Sequence, residues 1–195
     1  RKAEPEKLAS LHFVLAGAEK TPKGLAEEWE AKFGSKYLEG YGLTETSPVA
    51  SINLPDPPDS DRQTFKEVGS RPGSAGRLLP GIAIRFIDQD SGKEKPYGES
   101  GIIQLRGANI FEGYHAEPEK TDEVLKDDWF TTGDLGRLDE EGFLFIEGRL
   151  SRFSKIGGEM VPHGTVEEAI VKALGIDPGE GPVIAISSKE DSAKG

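Results

Sequence analysis

Residues 39–48, EGYGLTETSP, place two glycines, an aromatic ring, a hydroxyl and a carboxylate directly behind a short strand-like run, KYLEGY. Gly40 and Gly42 carry no Cβ, so backbone there can come close to a ligand. Thr44 offers a hydroxyl to a phosphate oxygen. Glu45 offers a carboxylate, the hard oxygen ligand that Mg²⁺ selects. A YG or TE pair alone is only a glycine-rich turn with a solvated acid. The whole string points to a phosphate-bearing ligand. A second stretch, DWFTTGDLGRLDEEGFLFIEGR (128–149), contributes Asp134 and Arg149. An acid placed after a glycine can accept hydrogen bonds from a ribose diol, as acids do in other nucleotide folds. Arg149, just past a hairpin, can reach a hydroxyl or a phosphate. Taken singly, these two read as a turn Asp and a surface Arg. Other chemistry has little support. His12 falls in a strand, and His115 and His163 fall in loops, with no pair at metal-ligand spacing. No serine sits in a G-x-S-x-G context, so hydrolase chemistry is not indicated. Trp29 lies at core-facing helical spacing, and the acidic run 56–61 reads as a solvated loop.

Positioning these groups requires a scaffold. Leu11–Ala16 reads as a short buried strand closed by Gly17. Thr21 reads as an N-cap with Pro22 at the first helical position. The helix then runs to Phe33, burying Leu25, Trp29 and Phe33, and stops at Gly34. With the strand KYLEGY this makes a strand–helix–strand unit. Residues 54–74 are rich in Pro, Asp, Ser and Gly and read as a long loop. Strands follow at Ile82–Asp88 and Gly101–Arg106, and a helix at Pro118–Leu125. A hairpin joins Leu135–Leu138 to Phe143–Glu147 through the turn 139–142. The middle third is therefore β-rich and barrel-like. After Arg149 the character changes, with a basic, glycine-rich segment and then a helix capped by Thr165, Glu168 completing a capping box. That helix ends at Gly175, and a strand-like run occupies 182–188. A domain boundary is placed near Leu150–Ser151.

Composition narrows the class. The chain has 195 residues, 35% hydrophobic and 30% charged, which supports a soluble core, and its net charge of −11 argues against a general nucleic-acid binder. Backbone N–H groups can still hold a phosphate locally. The 25 glycines are nearly twice the ordinary share of about 7%. Absence of Cys excludes disulfides and thiolate sites. No apolar run approaches the ~18 residues of a membrane helix. The strand-like runs near both ends would have few neighbours to pair with, so the chain is expected to be a piece of a longer one.

Four strings carry a resemblance: YGLTETSP, GSAGRLLPG (73–81), WFTTGDLG (129–136) and GRLSRFSKIGGEMV (148–161). In this order they resemble the adenylate-forming (AMP-binding) superfamily of acyl-CoA synthetases, luciferases and peptide-synthetase adenylation domains. AGAEK (16–20), where most members have a GGAPL-like string, and FSKIGGEMV resemble the acyl–acyl-carrier-protein synthetase half of bifunctional 2-acylglycerophosphoethanolamine acyltransferases. The resemblance implies an α/β (α+β) fold. Residues 1–150 would be the closing part of the large adenylation domain, with its barrel-like subdomain. Residues 151–195 would be the start of the small mobile domain. It implies ATP-dependent activation of a fatty acid through acyl-AMP, with Mg²⁺, then transfer to a thiol of acyl carrier protein, in the cytoplasm. Gly17, Ala18 and Glu19 would border the adenine. Tyr41 would pack on the adenine and acyl side, and Ile146 on the adenine. Thr44 would face the phosphates, and Glu45 would bind Mg²⁺. Asp134 would take the ribose hydroxyls, and Arg149 ribose or phosphate. Lys155 with Gly157 and Gly158 would serve thioester formation.

Two departures accompany it. Ser151 stands where the family hinge is usually Asp or Lys, but a hinge needs backbone freedom more than charge. The family's phosphate loop would lie before Arg1, and its catalytic lysine after Gly195. These 195 residues alone are therefore expected to release no pyrophosphate and to bind AMP weakly. A fatty-acyl-CoA synthetase, differing in the thiol acceptor, is one alternative. A non-catalytic nucleotide- or carrier-binding module is the other.

Overall fold

The structure, a computed structural model, describes residues 3–19, 21–22, 24–58, 67–156, 159–176 and 184–187. Strand β1 (Phe13–Ala16) lies parallel to β2 (Lys36–Tyr41), with helix α1 (Leu25–Phe33) between them in the chain. Two short strands, β3 (Ser51–Ile52) and β4 (Arg77–Leu78), continue the sheet antiparallel beyond β2, giving the order β1-β2-β3-β4. The expected helix stop holds: Gly34 takes a left-handed conformation and its N–H donates to the Glu30 carbonyl at 2.9 Å. The expected start does not. Gly24, at φ 85°, is the N-cap and no side chain caps the first turn. A left-handed residue behind Pro22 breaks the run, so the regular helix begins at Leu25 and not at Thr21. The expected burial also fails at this edge. Phe13, Leu15 and Leu25 are all exposed, and among the described residues β1 pairs only with β2.

The second sheet carries most of the core. It comprises β5 (Ala83–Ile87), β6 (Gly101–Arg106), β7 (Leu125–Lys126), β8 (Trp129–Leu138) and β9 (Leu144–Arg149). Its order is β5-β6-β8-β7, with β9 also on β8. Helix α2 (Pro118–Val124) precedes β7, so the expected helix ends one residue early and Leu125 enters the sheet. The predicted hairpin is β8–β9. Asp139 locks its turn by accepting the N–H groups of Glu141 and Phe143 at 3.0 and 2.9 Å. Arg71 pairs with both Asp139 and Glu141. Opposing hydrogen bonds and this guanidinium outweigh partial burial, and the Asp139 carboxyl sits below the usual range. Alternation along β6 buries Ile103 and Leu105 completely, against Phe86, Leu138 and Leu144. Each contributes about 1.5–3 kcal/mol. Leu144 also exchanges backbone hydrogen bonds with Ala75 and Gly76, tying β9 to the approach of β4. Ala50 and Tyr41 join the same cluster, so both sheets share one core.

Beyond Arg149 a helical turn leads to the antiparallel pair β10 (Phe153–Ile156) and β11 (Glu159–Pro162), then helix α3 (His163–Leu174). The predicted Thr165 cap is replaced by an earlier start at His163, with no side-chain cap. The physical reason is an anchor: the buried His163 ring meets the Ser154 hydroxyl of β10 at 2.6 Å. His163 is therefore a helix residue, not the loop residue expected, and His12 lies just outside β1. Gly175 ends α3 in a left-handed conformation, as expected. Residues 184–187 form no strand, and the rest of the expected run 182–188 lies outside the described residues, as do Gly157 and Gly158.

Candidate functional site

The carboxyl ends of parallel β1 and β2 open on a cleft of about 360 Å³. Ligands of α/β sheets sit outside the carboxyl ends of strands. Ala18, Glu19 and Thr21 come from the β1 exit, and Glu39–Leu43 from the β2 exit. Gly73–Ala75 form another wall, and β8 and β9 supply Asp134 and Ile146–Arg149.

Asp134 reaches the cleft through two irregularities. Pairing of β6 with β8 shifts between Ile102 and Gln104, where Ile103 stands beside the Thr132–Asp134 stretch. Gly133, at φ 75°, makes the bend, and a Cβ there would meet nothing. Thr132 fastens it, its hydroxyl donating to the Ile103 carbonyl and accepting the Asp134 N–H, both at 3.0 Å. Bulges re-aim side chains in this way. On the other side the β8–β9 register shifts between Leu135 and Gly136, which brings Asp134 opposite Arg149.

The outcome is a buried carboxylate held by a phenol and a guanidinium. Asp134 is 4% exposed. The Tyr41 hydroxyl donates to its Oδ2 at 2.6 Å, and Arg149 Nε lies 3.3 Å from its Oδ1. Burial pushes the Asp134 carboxyl up, while Tyr41 and Arg149 pull it back. Burial first, then the neighbouring Asp134 charge, pushes the Tyr41 phenol far above its ordinary range. The cleft thus offers a fixed acceptor carboxylate, an adjacent guanidinium and an apolar wall, the elements a polar ring with a diol and a phosphate would need.

Of the residues selected from sequence, the cleft gathers Ala18, Glu19, Gly40, Tyr41, Gly42, Asp134, Ile146 and Arg149. Gly17 stands behind it, its Cβ position 3.3 Å from the Gly40 carbonyl. Gly42 has a second reason to be glycine, since a Cβ there would lie 1.9 Å from the Pro48 carbonyl oxygen. Thr44 and Glu45 sit on the helical turn beyond the cleft lining. Lys155 lies on β10 and pairs with Asp90 at 2.8 Å, apart from the cleft lining. Sequence reasoning assigned no role to Gly73–Ala75, although their string had been noted. Ser74 is buried, bonded to the Arg71 carbonyl at 2.8 Å.

Among the described residues, no group of three or more His, Asp or Glu could hold a metal by itself. Mg²⁺ bound with a nucleotide needs less, one or two carboxylates plus phosphates and water. Glu45 fits that requirement. It is half-buried, next to the exposed Thr44. One carboxylate oxygen accepts the Tyr114 hydroxyl at 2.7 Å, and among the described residues no donor meets the other. That bond, more than burial, pushes the Tyr114 phenol up to about 12.

Comparison with known proteins gives the chain's family. Residues 1–115 match the family model described as AMP-binding enzyme. The chain is 33% identical to a long-chain-fatty-acid–CoA ligase of Salmonella typhimurium over 168 residues, 86% of this chain and 28% of the ligase. It is 36% identical to a medium-chain fatty-acid–CoA ligase of Escherichia coli K12 over 170 residues, 87% of this chain and again 28% of the ligase. ATP-bound MatB from Rhodopseudomonas palustris superposes with a TM-score of 0.69 at 37% identity, covering 86% of this chain and 31% of MatB. The chain therefore spans less than a third of the length of these relatives.

Proposed function

Because the chain belongs to the AMP-binding enzyme family, we propose that its cleft holds the adenosine monophosphate portion of ATP and of an acyl adenylate. The observation that carries this reading is Asp134, buried and aimed by the β8 bulge between Tyr41 and Arg149. The whole protein would then be an ATP-dependent acid–thiol ligase acting on fatty acids. The acid's carboxylate attacks the α-phosphorus, the bond to pyrophosphate breaks, and a thiol later displaces AMP. The relatives' names support coenzyme A as the thiol carrier. The strings AGAEK and FSKIGGEMV favour acyl carrier protein as a second reading.

Each side chain has a task in that scheme. Asp134 accepts the ribose hydroxyls. Its anionic form is the better acceptor, and charge-assisted hydrogen bonds are about twice as strong as neutral ones. Arg149, exposed at its tip, can leave Asp134 for a ribose oxygen or the phosphate. Ala18, Glu19, Tyr41 and Ile146 wall the base. Thr44 donates to phosphate oxygens, and Glu45 would hold Mg²⁺, which when bound spreads the charge of the leaving pyrophosphate. Lys155 serves thioester formation from the small domain. The boundary at Leu150–Ser151 is part of this reading. In its support, β10 and β11 make a sheet of their own, and the Lys155–Asp90 pair is exposed.

The test is a titration of the labelled chain with AMP, followed by NMR. Shifts should cluster at residues 16–19, 39–43 and 146–149, with affinity in the millimolar range, about −4 kcal/mol. Asp134→Ala should weaken it at least tenfold. No shifts at these residues, or equal affinity in the variant, overturns the reading.

A further inference from the structure

The Thr44–Glu45 turn is held from outside by a segment that sequence reasoning left without a role, Gly107–Tyr114. Three residues of this segment reach the turn. The Asn109 side-chain amide donates to the carbonyls of Thr46 and Val49, at 2.7 and 3.0 Å. The Phe111 N–H donates to the Glu45 carbonyl at 2.9 Å. The Tyr114 hydroxyl donates to Glu45 Oε1 at 2.7 Å. The first two fix the turn's backbone, and the third fixes the carboxylate itself. The segment is in turn anchored to the core. The Phe111 ring packs edge-on against Tyr114 at 4.9 Å and against Phe130 at 5.4 Å, and Phe130 is buried. Tyr114 therefore links the β8 core, through Phe111, to one carboxylate oxygen.

A carboxylate on a mobile Glu samples several rotamers, and holding one for a ligand costs entropy. An outside hydrogen bond removes that cost beforehand and leaves one oxygen directed outward. Partners that orient metal-binding carboxylates matter for this reason, and their loss typically weakens metal affinity 10–100-fold. We propose that Tyr114 is a positioning residue that aims the Glu45 carboxylate at the divalent cation of a bound nucleotide. This rests on the nucleotide reading of the cleft. Tyr114 touches neither nucleotide nor metal and acts through Glu45.

The experiment compares ATP binding to the chain with Mg²⁺ and with EDTA, by NMR titration, in wild type, Tyr114→Phe, Glu45→Gln and the double variant. Tyr114→Phe keeps the ring packing on Phe111. It should retain the metal-free affinity and lose about tenfold of the gain that Mg²⁺ gives. Glu45→Gln should lose the whole gain, and the double variant should lose no more. A full Mg²⁺ gain in Tyr114→Phe, with Glu45→Gln defective, overturns the positioning role alone. Equal losses with and without Mg²⁺ in Tyr114→Phe also overturn it, since they mark a general packing defect. A full gain in Glu45→Gln, or none in wild type, overturns the metal role of Glu45 and this proposal with it. Binding at the cleft by AMP, measured separately, would then still stand or fall by Asp134.

Discussion

Tyr41→Phe removes the hydroxyl that bonds the buried Asp134 carboxylate and leaves the ring in the shared core. In the wild type, that hydroxyl donates to Asp134 at 2.6 Å. Hydrogen bonds to charged groups contribute about 1.5–3 kcal/mol. After the substitution, the Asp134 carboxylate keeps, among the described residues, only Arg149, at 3.3 Å and with a side chain 63% exposed. An exposed guanidinium offsets little, because solvent screens it. The expected loss is about 2 kcal/mol at neutral pH, or a fall of about 4–8 °C in Tm for a chain of this size. Its pH dependence follows from the direction of the Asp134 shift. Burial already raises this carboxyl above its unfolded value, and the Tyr41 bond works against that rise. A group with a raised folded pKa adds stability below its unfolded pKa and loses it as pH rises through the folded one. Tyr41→Phe raises the folded value further. The penalty should therefore be small near pH 4, where Asp titrates when unfolded, and grow toward pH 7. Urea denaturation from pH 4.5 to 7.5 reads both size and slope. On an Asp134→Asn background the same change should cost about 1 kcal/mol, that of a neutral bond, without pH dependence. A penalty that is flat with pH, or the same on both backgrounds, would refute the reasoning.

Three further outcomes are expected. Gly42→Ala should destabilise by about 3 kcal/mol or more, since the added Cβ meets backbone that no rotamer change can clear, whereas Gly133→Ala should cost only the left-handed strain of about 1–2 kcal/mol; the reverse order in urea melts would show that the turn around Pro48 yields. Glu45→Gln should let the Tyr114 phenol fall from about 12 toward 10, read by ¹³C NMR of the tyrosine Cζ, and an unmoved titration would mean that the bond to the Glu45 carboxylate is not its cause. Residues 153–156 and 159–174 should exchange amide hydrogens faster than the β8–β9 hairpin, because exposed pairs such as Lys155–Asp90 hold them; equal protection would argue for one cooperative unit instead of a boundary at Leu150–Ser151.

The sequence alone determined whatever depends on local chemistry. Gly101–Arg106 reads as a strand from its sequence, and the structure gives it the same bounds. The turn residues 139–142 announced the hairpin, because Asp and Gly there satisfy or permit the required backbone. Gly34 and Gly175 ended their helices for the same reason. The types of Asp134 and Arg149 suggest the nucleotide-like chemistry of the proposed function. Helix starts were misread at Thr21 and Thr165 because a capping residue is only one competitor there. A left-handed Gly24 and the buried His163–Ser154 contact decided where the helices begin. What only the tertiary structure settled is the meeting of distant groups. Asp134 faces Arg149 because a bulge shifts the register, and Tyr41 reaches Asp134 across 93 positions of chain. The strap of Asn109, Phe111 and Tyr114 on Glu45 had no local signal at all. Its hydrogen bonds join segments sixty or more positions apart. Such pairings are set by how two sheets pack on one core, and no window of sequence contains both partners.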